Sequence, residues 1–397
     1  MFRHIQKFAF LSVFIVSGIL VAQPGAFGDR VDLGLVEHDD ITEASGIAAS
    51  RKNSDVLWTH NDSGGENRLF ALDTQGRHLG IYYLVGCENR DWEDMAVGPG
   101  PVEGQHYLYI GDIGDNQAVY DTYRIYRVME PDVVVGQNPV MENLDGAEAI
   151  AFRYPDGSRD AEALMVDPLT KDVYVISKEW NATVVYRAAY PQSTQEILTL
   201  ERVTPLSQIG IVAGDVSPDG SEILLKNYLV IYYWRRQTGK LLGDAFAEPA
   251  VTVPYLPEPQ GEAVCWKSDG MGYYTVSEEF SGTPGRLYFY PRLEESRISD
   301  RGATPTMFAL YPNYPNPFNA TTVIMYQLSE TSRVGLNVYG PSGDFIKTLM
   351  DSVQPQGIHR MTWDGTDEDG NRVSSGIYMI RLNTESFQDS RRVVLVK

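Results

Sequence analysis

The sequence predicts an all-β chain: a β-propeller of about five blades, or six, followed by an Ig-like β-sandwich. Three observations carry this. A strand-turn-strand phrase recurs at intervals of about 45 to 70 residues, which suits four-stranded blades better than a helical solenoid. Tyr, Val and Gly are plentiful while long helical periodicities are absent. The last ninety or so residues hold short alternating strands between compact turns.

The fullest copy of the phrase is DWEDMAVGPGPVEGQHYLYIGDIGDN, Asp91 to Asn116. One strand runs through Glu93, Met95 and Val97, a Gly/Pro-rich turn follows, and Tyr107 to Ile110 forms the next strand. An acidic cluster of Asp112, Asp115 and Asn116 closes it. The other copies are EASGIAASRKNSDVLWTHNDSGG from Glu43, DAEALMVDPLTKDVYVISKEWN from Asp160, AGDVSPDGSEILLKNY from Ala213 and GEAVCWKSDGMGYYTVSEEFSG from Gly261. Each has an acid, a small-apolar strand, a turn and a β-rich strand ending in polar residues.

The chain opens MFRHIQKFAFLSVFIVSGILVAQPG. Arg3, His4 and Lys7 precede an apolar run from Phe8 to Val21, which is the pattern of a secretory signal over 1–22 with cleavage after Ala22. No later run approaches the roughly 18 apolar residues of a spanning helix, so no transmembrane span is expected in the mature protein. Val31 to Glu37 is a short apolar segment, and the last repeat, from Gly261 to about Arg292, is one strand short. The N-terminal strand is therefore expected to complete the last blade and close the ring, removing sheet edges. A sixth blade fits only if Asp91 to Arg159 holds additional strands.

Acids exceed bases by 53 to 33, a net charge of −20, which argues against nucleic acid as a partner and leaves carboxylates for divalent cations. Cys87 and Cys265 are the only cysteines and fall in different repeats, so disulfides do not hold the fold. No Gly-Xaa-Ser-Xaa-Gly elbow, His-Glu-Xaa-Xaa-His helix or phosphate loop is present.

Laying the repeats on one another gives two rings. The first is acidic: Glu43, Glu93, Glu162, Asp215 and Glu262 are read as one place in each innermost strand, a candidate calcium site. The second follows the next strand: His60, Asn61 and Asp62, then Asp112 and Asp115, then Lys178, then Lys226 and Asn227, then Glu278 and Glu279. These residues are read as lining one face and binding a small-molecule or surface ligand. Two lysines beside carboxylates could hold an anion next to a metal, as a calcium-dependent hydrolase of phosphate esters, lactones or esters requires. The same acids could instead cap backbone N–H groups of the adjacent blade or pair with the lysines, with no chemistry.

EASGIAAS, THNDSGG, DWEDMA, GDIGDN, DAEAL and YVISK together resemble secreted bacterial propellers, related in general shape to phytase-like and gluconolactonase-like ones, over Asp29 to Arg292. Residues 293–307 are polar and aperiodic, a linker. Beyond it, strands are expected over Thr322–Gln327, Val334–Tyr339, Phe345–Met350, Ile358–Trp363, Gly376–Asn383 and Asp389–Val396, with Trp363 in the core. Asp364, Asp367, Asp369 and Asn371 are spaced like a calcium loop, but lack its downstream Glu; a hairpin turn explains them.

YPNYPNPFNATTVIMYQL, LNVYGPSGDFIKTLMDS, GIHRMTWDGTDEDGNRVSSGIYMIRL and the terminal RRVVLVK resemble the type A C-terminal sorting domain of the type IX secretion system and the Ig-like domain of the flagellar hook-capping protein, over 308–397. That resemblance implies recognition by the type IX machinery and release, or attachment at the outer surface of a Gram-negative cell.

Overall fold

The computed structural model describes residues 27–62, 64–179, 183–279, 284–293, 308–311, 313, 316, 318–319, 321–341 and 343–396. The signal segment and nearly all of the linker lie outside the described residues, as do Pro312, Pro315 and Pro317.

Strand β1 (Val31–Leu35) comes first in the chain but belongs to the last blade. Blade 1 has β2 (Ala44–Ala49), β3 (Val56–Asn61), β4 (Arg68–Asp73) and β5 (His78–Leu84). Blade 2 opens with β6 (Trp92–Pro99), β7 (His106–Asp112) and β8 (Tyr123–Met129). The chain then leaves it for β9 (Val140–Leu144) and returns as β10 (Glu148–Arg153). Blade 3 has β11 (Ala161–Val166), β12 (Val173–Ser177) and β13 (Val184–Ala188), and, after β14 (Leu198–Thr199), ends with β15 (Glu201–Pro205). Blade 4 is β16 (Ala213–Val216), β17 (Glu222–Lys226), β18 (Ile231–Arg235) and β19 (Val251–Val253). Blade 5 is β20 (Ala263–Trp266), β21 (Gly272–Val276) and β22 (Arg286–Pro291), with β1 antiparallel on the outer edge of β22.

The expected ring closure therefore forms. Phe27 secures it by entering the space between blades 4 and 5, its ring 5.0 Å from Tyr273 and 5.8 Å from Trp266, with the Arg292 guanidinium 4.9 Å over its face. The chain turns antiparallel strands inside each blade, and the innermost strands β2, β6, β11, β16 and β20 neighbour one another around the axis.

Five apolar cores fill the five spaces between blades, one per pair of neighbours. Trp58, Trp92 and Trp266 are wholly buried in them. At about 25 cal/mol per Å² of apolar surface removed from water, such wedges are the main stabilising term, because each blade buries both faces of its sheet. Cys87 and Cys265 sit in two different cores, both as buried thiols.

No sixth blade exists among the described residues. The extra length between Asp91 and Arg159 is used by β9, which pairs in parallel with β5 and so becomes the fifth strand of blade 1. Gly80 permits this approach, since a Cβ there would lie 2.8 Å from Val140 Cγ2. In the same way β14, leaving blade 3, pairs in parallel with β10 of blade 2. Each loan covers an otherwise open sheet edge and ties two blades by backbone hydrogen bonds.

The C-terminal unit packs a three-stranded sheet against a four-stranded one. The first is β23 (Ala309–Leu310), β24 (Thr322–Leu328) and β27 (Gly357–Trp363); the second is β25 (Ser332–Tyr339) between β26 (Phe345–Gln354) and β28 (Gly376–Asn383), with β29 (Gln388–Leu395) outermost. All six expected strands form, and Trp363 is buried at the centre with Phe318 5.3 Å away. The Asp367 carboxylate accepts the Asn371 N–H at 2.8 Å and the Asp369 N–H at 3.1 Å, which folds the acidic loop into a turn. Among the described residues no helix is long and apolar enough to cross a membrane.

Candidate functional site

Strand pairing fixes which residues share a level around the axis. Gly46, Asp94, Ala163, Ala213 and Ala263 are equivalent, pairing with His60, Gly111, Ile176, Lys226 and Val276. The residue before each is Ser45, Glu93, Glu162, Val212 or Glu262, and in the first three blades it is the extra residue of a β-bulge. Two positions earlier stand Glu43, Asp91, Asp160 and Gln260, whose carbonyls accept the N–H groups of Asp62, Ile113, Lys178 and Glu278 in turn.

This register corrects the first ring. Glu93, Glu162 and Glu262 share a level, but Glu43 lies two residues further out and is exposed, while Asp215 lies three residues further in and is buried. Ser45 stands at the equivalent place in blade 1 and Val212 in blade 4, so superposing acid on acid slides to Glu43 and Asp215.

The inward acids are backbone staples between blades. Asp94 Oδ2 accepts Leu164 N–H of blade 3 at 2.9 Å and Gly214 N–H of blade 4 at 3.2 Å, and Oδ1 accepts Met95 N–H at 2.8 Å. Asp215 Oδ2 accepts Trp266 N–H of blade 5 at 2.7 Å. Burial raises the Asp94 carboxyl well above the ordinary range, against the pull of those three N–H donors, and raises Asp215 to about 6.

The outward acids behave differently. Asp62, Asp91 and Glu93 bring one carboxylate oxygen each to within 4.8 Å of one another, and Glu93, Asp160 and Glu162 do the same on the other side. Glu93 is 3 % exposed, and its carboxylate accepts no hydrogen bond and meets no base among the described residues. The carboxylate of Asp91 likewise accepts none. Burial, then the neighbouring charges of Glu162, Asp62, Asp91 and Glu262, holds the Glu93 carboxyl well above the usual carboxylate range. Glu162 is raised in the same direction by burial despite Lys178 beside it, and Asp91 and Asp160 are raised as well. Gly114 of the GDIGDN loop lies against this group: a Cβ there would collide with Glu93 Oε1 and lie 2.5 Å from Asp91 Oδ2.

The second ring separates into three depths. Asp62, Lys178 and Glu278 reach the mouth level; Tyr228 is there too, donating to Glu262 Oε1 and 3.5 Å from the Lys178 ammonium. Lys178 pairs with Glu162 Oε1. The Glu278 carboxyl, bonded by Gln260 Nε2, is pushed up to about 8 by burial and by Glu262, Asp62 and Glu43. One residue inward, Asn61 Nδ2 donates to Asp40 O at 2.6 Å, and the Asp112 carboxylate caps Asp91 N–H at 2.9 Å and Arg90 N–H at 3.2 Å.

His60 and Lys226 do not line the face. His60 is fully buried against Trp92, its ring centroids 5.6 Å apart, and burial lowers its pKa to about 4, so it stays neutral. Lys226 is fully buried over Tyr255 and donates to Gly261 O, with its pKa pulled down to about 8 by burial. Strand alternation turns both side chains inward. Asp115 is used up by its own loop, accepting Val119 N–H, Tyr120 N–H and Tyr123 O–H at 2.8 to 2.9 Å.

Beside the carboxylate group a polar pocket of about 410 Å³ opens, walled by Asp115, Asn116, Ser158, Arg159, Asp160 and Lys178. Arg159 is held there by Glu179 at 2.7 Å and Asp156 at 3.0 Å. Neither Asp91 nor Asp160 is among the ligands expected from the sequence. The signal was the acid-Xaa-acid spacing shared by DWE and DAE, which places both acids on the same side of a bulge.

A family model described as the FlgD Ig-like domain matches residues 318–387. No curated protein matches the chain. Among solved structures, one is PorZ, an essential bacterial surface component of the type-IX secretion system of Porphyromonas gingivalis, at 11 % identity and a TM-score of 0.31, covering 89 % of this chain and 52 % of that one. The chain thus spans about half of PorZ. A second is hydrazine synthase of Kuenenia stuttgartiensis, at 13 % identity and 0.35, covering 62 % and 96 %. A third is a protein of Lactobacillus plantarum, at 16 % identity and 0.30, covering 81 % and 88 %.

Proposed function

We propose that this chain is an exported extracellular or cell-surface protein whose propeller is a binding module, engaging its ligand through calcium held by the carboxylates at the mouth of the ring. Glu93 carries this reading. A buried carboxylate without a donor or base among the described residues, facing four other acids, is costly, and a bound cation offsets that cost. Asp94, Asp112, Asp115 and Asp215 show what the same chain does with a structural acid: it surrounds it with N–H donors. Oxygen-only ligands from aspartate and glutamate suit calcium, which takes six to eight oxygens in flexible geometry.

The C-terminal sandwich is the export and sorting element of this reading, a substrate of the type IX machinery. Its support is the FlgD Ig-like match over 318–387 together with the YPNPFN and terminal RRVVLVK motifs. Calorimetric titration of the full chain with calcium tests the binding site. Heat of binding in the wild type, absent in Glu93→Gln, is the expected result; no binding in the wild type overturns the proposal.

A further inference from the structure

We infer that the mouth holds two divalent cations side by side, bridged by the carboxylate of Glu93, one on Asp62 and Asp91 and the other on Asp160 and Glu162. The inference rests on the calcium reading and adds the number and arrangement of the ions. The two groups of three acids share Glu93 alone, each within 4.8 Å. A single ion between them would have to draw on ligands from three blades at once, whereas each triad comes from two neighbouring blades: blades 1 and 2 for Asp62, Asp91 and Glu93, and blades 2 and 3 for Glu93, Asp160 and Glu162.

Glu93 has the freedom a bridging ligand needs. It is almost wholly buried, aims into both groups and accepts no hydrogen bond among the described residues. A carboxylate that binds one ion per oxygen sets a metal-metal separation of about 3.5–4 Å, the spacing usual for paired sites. Gly114 keeps that position open, since any side chain there would push Glu93 away from it.

Charge agrees with the count. Five carboxylates and the neighbouring Glu262 stand against two bases, the Lys178 ammonium on Glu162 Oε1 and the Arg90 guanidinium near Asp91, and leave four negative charges, the charge of two divalent cations. The two ions would also differ in access. Asp160 belongs both to the second triad and to the wall of the 410 Å³ pocket, so the second ion faces that pocket, where an oxygen atom of the ligand can complete its shell.

The experiment is calcium titration of the full chain by calorimetry, beside native mass spectrometry of the wild type, which counts bound ions without any variant. Two ions in the wild type, one in Asp91→Asn, one in Asp160→Asn and none in Glu93→Gln is the expected pattern, with melting in chelator confirming that each variant is folded. One ion in the wild type, lost in both aspartate variants alike, overturns the pair while leaving the calcium reading intact. No ion in the wild type overturns both.

Discussion

Replacing Glu93 with glutamine should reverse the stability order of the two proteins when calcium is added. Without cation, the Glu93 carboxyl is held above its ordinary value by burial and by Glu162, Asp62, Asp91 and Glu262. The folded state thus keeps a proton that the unfolded chain releases. Its favourable contribution is complete below the unfolded carboxylate value and disappears as pH rises through the raised one, at about 1.4 kcal/mol per pH unit within that window. Glutamine does not titrate, and its amide can donate to Asp91 or Asp62. In chelator Glu93→Gln should therefore be more stable than wild type, with a higher melting temperature and a wider gap at pH 8 than at pH 6. In calcium at one hundred times its dissociation constant, wild type gains about 2.7 kcal/mol per ion and the variant gains none, so the order inverts. Differential scanning calorimetry in both conditions, at pH 6 and pH 8, reads all four values. If the variant is less stable than wild type in chelator as well, Glu93 is held by protein partners and the reasoning fails.

Four other outcomes follow from the same geometry. Asp94→Ala strands three buried N–H groups, those of Met95, Leu164 and Gly214, and should lower stability in urea unfolding by about 3–5 kcal/mol without changing the number of bound ions. Gly114→Ala puts a methyl group against Glu93 and Asp91 and should weaken calcium binding at least tenfold, about 1.4 kcal/mol, by calorimetry. Phe27→Ala empties the aromatic space between blades 4 and 5 and should cost about 3–4 kcal/mol in the same unfolding assay. Deleting 308–397 should leave the exported propeller in the periplasm, read by fractionation and blotting of the culture.

The fold was legible because its determinants are local and repeated. Alternating apolar strands stopped by Gly and Asp recur five times, the last repeat lacks a strand, and Val31 to Leu35 supplies it. The loans of β9 and β14 to neighbouring blades were not legible, because an outer strand reads the same whichever edge it covers. Register at the mouth was lost for a related reason. Ser45 and Val212 hold the places that Glu93, Glu162 and Glu262 hold in the other blades, and a pattern of acids slides past them to Glu43 and Asp215, which stand at other depths. His60 and Lys226 face inward rather than lining the mouth, because a one-residue change of phase on a strand turns a side chain to the opposite face.

The distinction between the two kinds of buried acid is what gives the mouth a function. Asp94 and Asp215 lie deeper, where the strands converge, and there the backbones of adjacent blades supply donors at hydrogen-bond distance. Glu93 and Glu162 stand one residue further out, at the bulges, and neither carboxylate accepts a backbone N–H among the described residues. Acids at that level must find another positive partner. In the third blade Lys178 serves Glu162, and in the fourth and fifth the Tyr228 hydroxyl serves Glu262. Blade 2 places Ile113, buried in the core between blades 2 and 3, where blade 3 has Lys178, so among the described residues Glu93 has no such neighbour.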